Sequence, residues 1–447
     1  MTRQPYRTAP SPSPDMPGGV PYIVANAAAA RFSYSGMRSI LVVFMTRHLL
    51  DRSGTPSPMT EAEAREWFHL FAASVYFFPL LGAVLSDYVL GKYRTILSLS
   101  AVYCAGHLAL ALDDTRLGLA IGLTLIAIGS GGIKPCVSAH VGDQFGHASK
   151  HLLPRVFGWF YLAINFGAFI SSLLTPYLLE HAGPHVAFGV PGLLMMAATW
   201  VFWLGRYKFV HVPPARARFG DELFQRDVLA SLLRLCGIYV FVAFFWALYD
   251  QTASAWVQQA EKMDREFLGI TWLPAQVQAI NPLLILTLVP IFSYVIYPAA
   301  ERVVRLTSIR KIAVGLFLTV PAFLIPAWAQ MQIEAGGTPS IGWQLLAYVV
   351  ITSAEVLVSI TCLELSYTQA PRTLKSLVMS LYLLSVSAGN LLTSAVNALI
   401  QDEQGISRIS GVSYYLLFAA VMTLAAVAFA ILMRNYRETI VLQEEAA

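Results

Sequence analysis

The apolar residues of this 447-residue chain neither alternate with polar ones nor scatter among them. They gather into twelve runs, at about 20–48, 66–88, 95–112, 117–140, 154–180, 186–205, 228–260, 278–300, 310–331, 341–369, 374–400 and 411–434. Most reach the roughly 20 residues that a helix needs to cross a hydrocarbon core about 30 Å thick. Strands of a membrane barrel would be only about 9–11 residues long, with period two. Backbone groups in lipid must find their partners within their own segment, so runs of this length predict helices. The pattern predicts an all-α membrane protein: twelve transmembrane helices in two six-helix bundles, 20–205 and 228–436.

The stretch between the bundles, 206–227, is short and basic and contains Pro213 and Pro214, as a cytoplasmic linker would. Residues 1–19 are rich in Pro and Ser and lack an apolar core. They predict a flexible cytoplasmic tail rather than a cleaved signal. Residues 437–447 predict a second tail. The other loops are mostly tight and leave no room for a soluble catalytic domain.

Composition sharpens this picture. The chain is 56% hydrophobic and 13% charged, against about 45–50% and 25% in soluble domains. The net charge of +4 says less than its placement. The tails and one set of alternate loops carry nineteen Lys and Arg residues, and the opposite loops carry seven. That asymmetry places both termini in the cytoplasm, as an even number of crossings requires. Cys104, Cys136, Cys236 and Cys362 all fall in apolar runs and read as small core residues. No disulfide framework, metal spacing or cofactor motif is visible. The expected surroundings are a lipid bilayer, a bacterial inner membrane, with the protein a monomer that has no nucleic-acid partner.

Gly82-Ala83-Val84-Leu85-Ser86-Asp87 followed by Gly91-Lys92-Tyr93-Arg94 resembles the loop motif of the major facilitator superfamily. That superfamily has two six-helix bundles around a central site. Gly82 would allow close helix approach, and Asp87 would pair with nearby basic groups.

Ionisable residues inside the runs are costly and face protein or a water-filled cavity. Arg31, Tyr34, Ser35 and Arg38 form one polar stripe at helical spacing. Lys134 follows Gly129-Ser130-Gly131-Gly132-Ile133 and precedes Pro135, in a run expected to be bent and loosely packed. Trp246 and Asp250 share a helix face, as do Glu355 and Ser359. Bases in the first half against acids in the second suit a zwitterion, with its carboxylate toward Arg31, Arg38 or Lys134 and its ammonium toward Glu355 or Asp250. No Ser–His pair, aspartate pair or His-Glu-x-x-His metal site stands in the runs, so the chain does not read as an enzyme.

Several motifs carry a family resemblance: Arg31-Phe-Ser-Tyr34-Ser-Gly36-Met-Arg38, Gly131-Gly-Ile-Lys134-Pro-Cys-Val-Ser138, Gly142-Asp-Gln-Phe145, Phe160-Tyr161-Leu-Ala-Ile-Asn165-Phe-Gly167, Phe245-Trp246-Ala-Leu-Tyr-Asp250-Gln251 and Ala370-Pro-Arg-Thr-Leu-Lys375-Ser376. The chain resembles the proton-dependent oligopeptide transporters, within the major facilitator superfamily. The resemblance implies alternating-access transport of di- and tripeptides coupled to protons. It implies peptide contacts at Tyr34, Tyr76, Lys134 and Asn165. It also implies an acid for the peptide amino terminus at Glu355, carboxylate partners at Arg38 and Lys134, cavity-lining positions at Trp246, Asp250 and Tyr382, and proton handling at His69. Glu355, Asp250 and His69 are the groups left to carry proton coupling.

The departures matter equally. Where the family has Glu-x-x-Glu-Arg-Phe, this chain reads Ala27-Ala-Ala-Ala30-Arg31-Phe32. The second tyrosine of the family's pair is Ser35, and the acid expected opposite Arg234 is Ser293. Coupling therefore runs through the remaining groups, with Lys134 pairing to Glu355 in the empty site, or is weakened or lost. Two alternatives stay open: a carrier of another small anion or amino acid, and a peptide sensor that does not transport.

Overall fold

The computed structural model describes residues 6–214, 226–369, 375–401, 407–409, 411–434 and 436. Each of the twelve expected stretches is helical over most of its described residues, with turns at Ser254 and at several ends such as His48 and Ile400. Among the described residues, ten helices are long and apolar enough to cross a membrane. One of those ten runs through a reversal at Gly183 (φ 81°, ψ 175°), so it holds two of the expected spans. The first helix is 28 residues long, enough for a crossing, but its polar stripe keeps it outside the ten. The chain is an integral membrane protein by these segments.

The chain divides into two compact units: Met1–Met59 with Ser74–Ala217, and Thr60–Ala73 with Arg218–Ala447. Five helices build the first: α1 Val20–Arg47, the inner part of α2 Glu61–Val84, α3 Lys92–Leu112, α4 Arg116–Gly142 and the bent α5 Leu153–Leu204. α2 ends in a π turn, Leu85–Leu90, closed by Gly91 at φ 78°. α1 lies along α5, where a Cβ at Gly36 would strike the Thr175 hydroxyl, and the Ser33 hydroxyl donates to the Pro191 carbonyl at 2.6 Å. A Cβ at Gly82 would strike the backbone of Gly132, and one at Gly131 the carbonyl of Val75. The glycine run of α4 is therefore tightly packed against α2, not loosely packed as its composition suggests. Glycine serves here as the only residue that lets two helix backbones touch.

At one end of this unit the loop motif departs from expectation. Asp87 accepts from the Ser86 hydroxyl at 3.0 Å and meets no basic partner among the described residues. Lys92 pairs instead with Asp143 at 2.6 Å, because Gly142-Asp143 closes α4 at the same end as the start of α3. The next residue, Gln144, accepts from the Val210 N–H at 2.9 Å. The described part of the expected flexible tail is seated beside it. Arg7 forms a parallel bridge with Val210, His211 N–H donates to the Arg7 carbonyl at 2.7 Å, and the Tyr6 ring stacks on His211 at 4.2 Å.

The second unit starts with the outer part of α2, Thr60–Ala73, although the expected bundle 20–205 contains those residues. Polar contacts account for the grouping: Ser387 and Ser394 hydroxyls donate to the Ala73 and Glu66 carbonyls, and Arg65 reaches Asn397 and Gln258. α6 Arg226–Tyr249 gives way to a 3₁₀ turn, Asp250–Ala253, and a short helix, Ala255–Ala260. A small hairpin pairs Glu266–Phe267 with Ile270–Thr271. Then come α7 Ile280–Ile291, α8 Ser308–Glu334, α9 Gly342–Glu355, α10 Lys375–Leu399 and α11 Val412–Leu432. α9 passes into a π segment, Val356–Ile360, and continues as Thr361–Gln369. A cluster of Ile285, Phe292, Val356 and Leu357 joins α7 to that π segment. Gly389 lets α10 touch α6, since a Cβ there would strike the Ala243 carbonyl.

The expected linker lies outside the described residues over 215–225, as does the C-terminal tail 437–447. The motif beginning at Ala370 lies outside over 370–374.

Candidate functional site

In the first unit the cluster forms around Lys134. It sits one turn past the glycine contact that presses α4 onto α2, and this brings it to Tyr76 of α2 and Tyr34 of α1. Its ammonium lies 3.9 Å from the centroid of the Tyr76 ring and 4.5 Å from that of Tyr34. A cation over an aromatic face gains about 0.5–2 kcal/mol, depending on how dry the site is. Tyr34 is buried, and Tyr76 and Arg38 are half-buried. Asn165 is buried on α5, and its amide donates to the Tyr161 carbonyl of its own helix at 2.9 Å. Arg31 is exposed and has no ion pair among the described residues, and positions 27 and 30 beside it are alanine.

In the second unit two clusters stand apart. The first joins α2 to α6 and α10. His69, fully buried, places Nδ1 2.7 Å from Asn390 Oδ1 and Nε2 2.9 Å from Ser254 Oγ. Asn390 turns its amide nitrogen to Asp250 Oδ2. That orientation leaves Oδ1 for the histidine, so Nδ1 must carry a proton. In the neutral ring Nε2 then accepts from the Ser254 hydroxyl; in the charged ring it donates to it. Asp250, His69 and Ser254 thus form one hydrogen-bonded row in which a change at either titratable group is felt by the other.

The second cluster surrounds Glu355, at the last α-helical residue before the π segment of α9. π segments inside helices open the backbone and recur at functional sites. The Asn281 amide donates to Glu355 Oε2 at 2.8 Å and to the Thr352 hydroxyl at 3.1 Å. A charge-assisted bond of this kind is worth about 1.5–3 kcal/mol. One turn on, Ser359 shares a 2.9 Å hydrogen bond with the Tyr382 phenol, whose ring lies 6.0 Å from that of Tyr239. Trp246 is buried edge-on to Phe245 and Tyr249, and its indole N–H has no hydrogen-bond partner among the described residues. Arg234 and Ser293 are both exposed.

Three polar residues in these clusters went unmarked at the level of sequence: Asn281, Ser254 and Asn390. Asn281 carried a usable signal, an amide directly before Pro282 within an apolar run. Asn390 carried a weaker one, an amide following the helix-contact Gly389.

The arrangement offers a ring-held cation in one unit and amide-held carboxylates with a buried histidine in the other. Known proteins share the chain's pattern. A POT-family profile matches residues 93–231 and 222–412. Peptide transporter family 1 of Drosophila melanogaster is 36% identical over 367 residues, 71% of this chain and 48% of that protein. Solute carrier family 15 member 2 of Homo sapiens is 34% identical over 406 residues, 79% of this chain and 54% of that protein. The chain spans about half the length of these curated relatives. Among solved structures, the POT family transporter PepTSo is 36% identical with a TM-score of 0.87, over 95% of this chain and 99% of that one. Matched by the family profile over most of its length, with the same fold as a solved member, the chain belongs to the POT family.

Proposed function

We propose that this protein carries di- and tripeptides across a bacterial inner membrane by alternating access, with both termini in the cytoplasm and the monomer as the working unit. The observation that carries the reading is Glu355. It keeps its carboxylate at the π segment of α9 and is aimed by Asn281. A peptide amino terminus is an ammonium that such a carboxylate takes, while the Lys134 ammonium and Arg38 take the carboxylate end. The names of the relatives, peptide transporters among them, support the same substrate. Tyr34, Tyr76, Asn165, Trp246, Ser359 and Tyr382 are assigned to the walls of the substrate site, with Arg31 at its edge.

Proton coupling is assigned to Asp250, His69 and Glu355, because alanines replace the glutamates of the first helix. The hydrogen-bonded row from Asp250 to Ser254 supports that assignment.

Counterflow of labelled dialanine in proteoliposomes, followed by uptake with and without an inward proton gradient, tests the proposal. Counterflow with gradient-driven accumulation supports the coupled carrier, and counterflow without it leaves an uncoupled one. Absence of counterflow overturns the carrier reading. The exposed Arg31 without an acid neighbour favours one second reading, a carrier of small anions, which nitrate or acetate uptake in place of dialanine would support.

A further inference from the structure

The second unit contains a cavity that none of the groups above uses. It opens where Thr60–Ala73, the end of the short helix Ala255–Ala260, the end of α8 and the start of α11 meet, and its volume is about 360 Å³. That is within the usual range of small-molecule sites, about 300–1,000 Å³.

Two opposed groups in its walls are incompletely used. The Arg65 side chain is only 9% exposed. Its Nε–H donates to Asn397 Oδ1 at 3.0 Å and Nη1 to Gln258 Oε1 at 2.7 Å, and its guanidinium lies 4.7 Å from the Tyr414 ring centroid. Glu61 stands 3.9 Å from Nη1 and is bonded to Lys262 at 2.7 Å. The Nη2 group donates to no acceptor among the described residues. A guanidinium carries five donors in a fork matched to a carboxylate. Arg65 is held at hydrogen-bond distance by neutral amides, and its one carboxylate neighbour, Glu61, stands farther off at 3.9 Å and is shared with Lys262. In the same walls Glu334 uses Oε1 to accept from the Val412 N–H at 3.0 Å, and its Oε2 accepts from none of the described residues.

We propose that this cavity binds a small zwitterion, its carboxylate on Arg65 and Lys262 and its ammonium on Glu334. The ligand is an amino acid or a short peptide, and the site is separate from the one around Glu355. It rests on the transporter reading only for the choice of probe. Because Arg65 lies on Thr60–Ala73, an occupant ties that segment to α8 and α11.

The test is calorimetric titration of the purified full-length protein with alanine and with dialanine, using alanine amide and acetyl-alanine as controls. Lys134→Ala removes the other site while leaving zwitterion binding. Arg65→Gln weakens that remaining binding by about tenfold or more, the worth of a charged hydrogen bond. Lys262→Ala, at a half-exposed side chain, does the same with no burden on folding. Alanine and dialanine binding alike assigns the site to any zwitterion, and dialanine alone assigns it to the transported class. Failure of both controls to bind supports the two-ended grip. The proposal is overturned if Lys134→Ala leaves nothing bound, or if the remaining binding ignores Lys262→Ala. Dialanine counterflow is read separately: its absence with Arg65-dependent binding intact sinks the carrier reading and leaves this site standing.

Discussion

The two units hold their charges by different means. Lys134 lies between the faces of Tyr34 and Tyr76, whereas Glu355 and Asp250 are addressed by the amides of Asn281 and Asn390. Neither device neutralises the charge it holds. A ring face attracts a cation without contributing a formal negative charge, and an amide N–H orients a carboxylate while leaving it ionised. Both devices fix the position of a charge, one with ring faces and the other with amide donors.

This comparison breaks most directly at Lys134. Lys134→Ala is expected to lower dialanine uptake about a hundredfold with surface expression intact, the upper range for a charged hydrogen bond lost. Uptake at the wild-type rate would make Lys134 a structural residue. Next comes Glu355→Gln, which should weaken peptides with a free amino terminus by about thirtyfold and leave amino-blocked peptides nearly unchanged. Equal losses for both would remove Glu355 from its assigned role. Asn281→Ala should raise the KM for free-amino peptides about tenfold, since the carboxylate stays but its aim is lost. A drop in kcat alone would point to folding or to conformational steps.

Tyr76 tests the first unit's device. Tyr76→Phe keeps the ring and should transport at near the wild-type rate, while Tyr76→Leu should cost about threefold to tenfold in affinity. If both fail alike, the phenol rather than the ring face is what Lys134 requires.

The smallest expected effect concerns the tail seat, where charge is excluded. Burial lowers the His211 pKa below 6.5, and the nearby Arg94 lowers it further, against the hydrogen bond to the Arg206 carbonyl that raises it. The docked imidazole therefore resists protonation more than the released one. Docking is complete above about pH 6.5 and weakens as pH falls below that value. Tryptic cleavage after Arg7 should be about threefold faster at pH 5.5 than at 7.5, once corrected for the protease's own profile. His211→Phe should erase the difference, and an equal rate in the wild-type protein would contradict the burial.

The helices were legible because lipid imposes one rule on every span: enough consecutive apolar residues, each with its partners inside its own helix. Even the first helix, with Arg31 and Arg38, followed that rule through its stripe. The charged and aromatic members of the clusters were also legible, since a Lys134 or a Glu355 in an apolar run has few harmless explanations. Their partners were not. His69 meets Asn390 across 321 positions of chain and Asn281 meets Glu355 across 74, and no local period encodes such a pairing. The same gap hid the partner of Lys92, which is Asp143, while Asp87 meets no basic group among the described residues. The contacts of Tyr6 and Arg7 were hidden for a related reason. The composition of the tail describes its own lack of a core, and the seat is supplied by Val210, His211 and Gln144 far along the chain.

The bare backbone contact between Gly82 and Gly132 reaches into how this protein can be studied. With no side chain interposed, even a methyl group at Gly82 acts as a wedge between two rods, and so does one at Gly131, whereas one at Gly132 meets the end of the Leu99 side chain. A mutational scan scored by growth on peptides will rank these positions with Lys134 and Glu355, although they touch no cargo. The two kinds of silence separate only when the amount of protein in the membrane is counted alongside the traffic through it. At 82 and 131 the molecules themselves will be missing, whereas at 134 and 355 they will be present and idle.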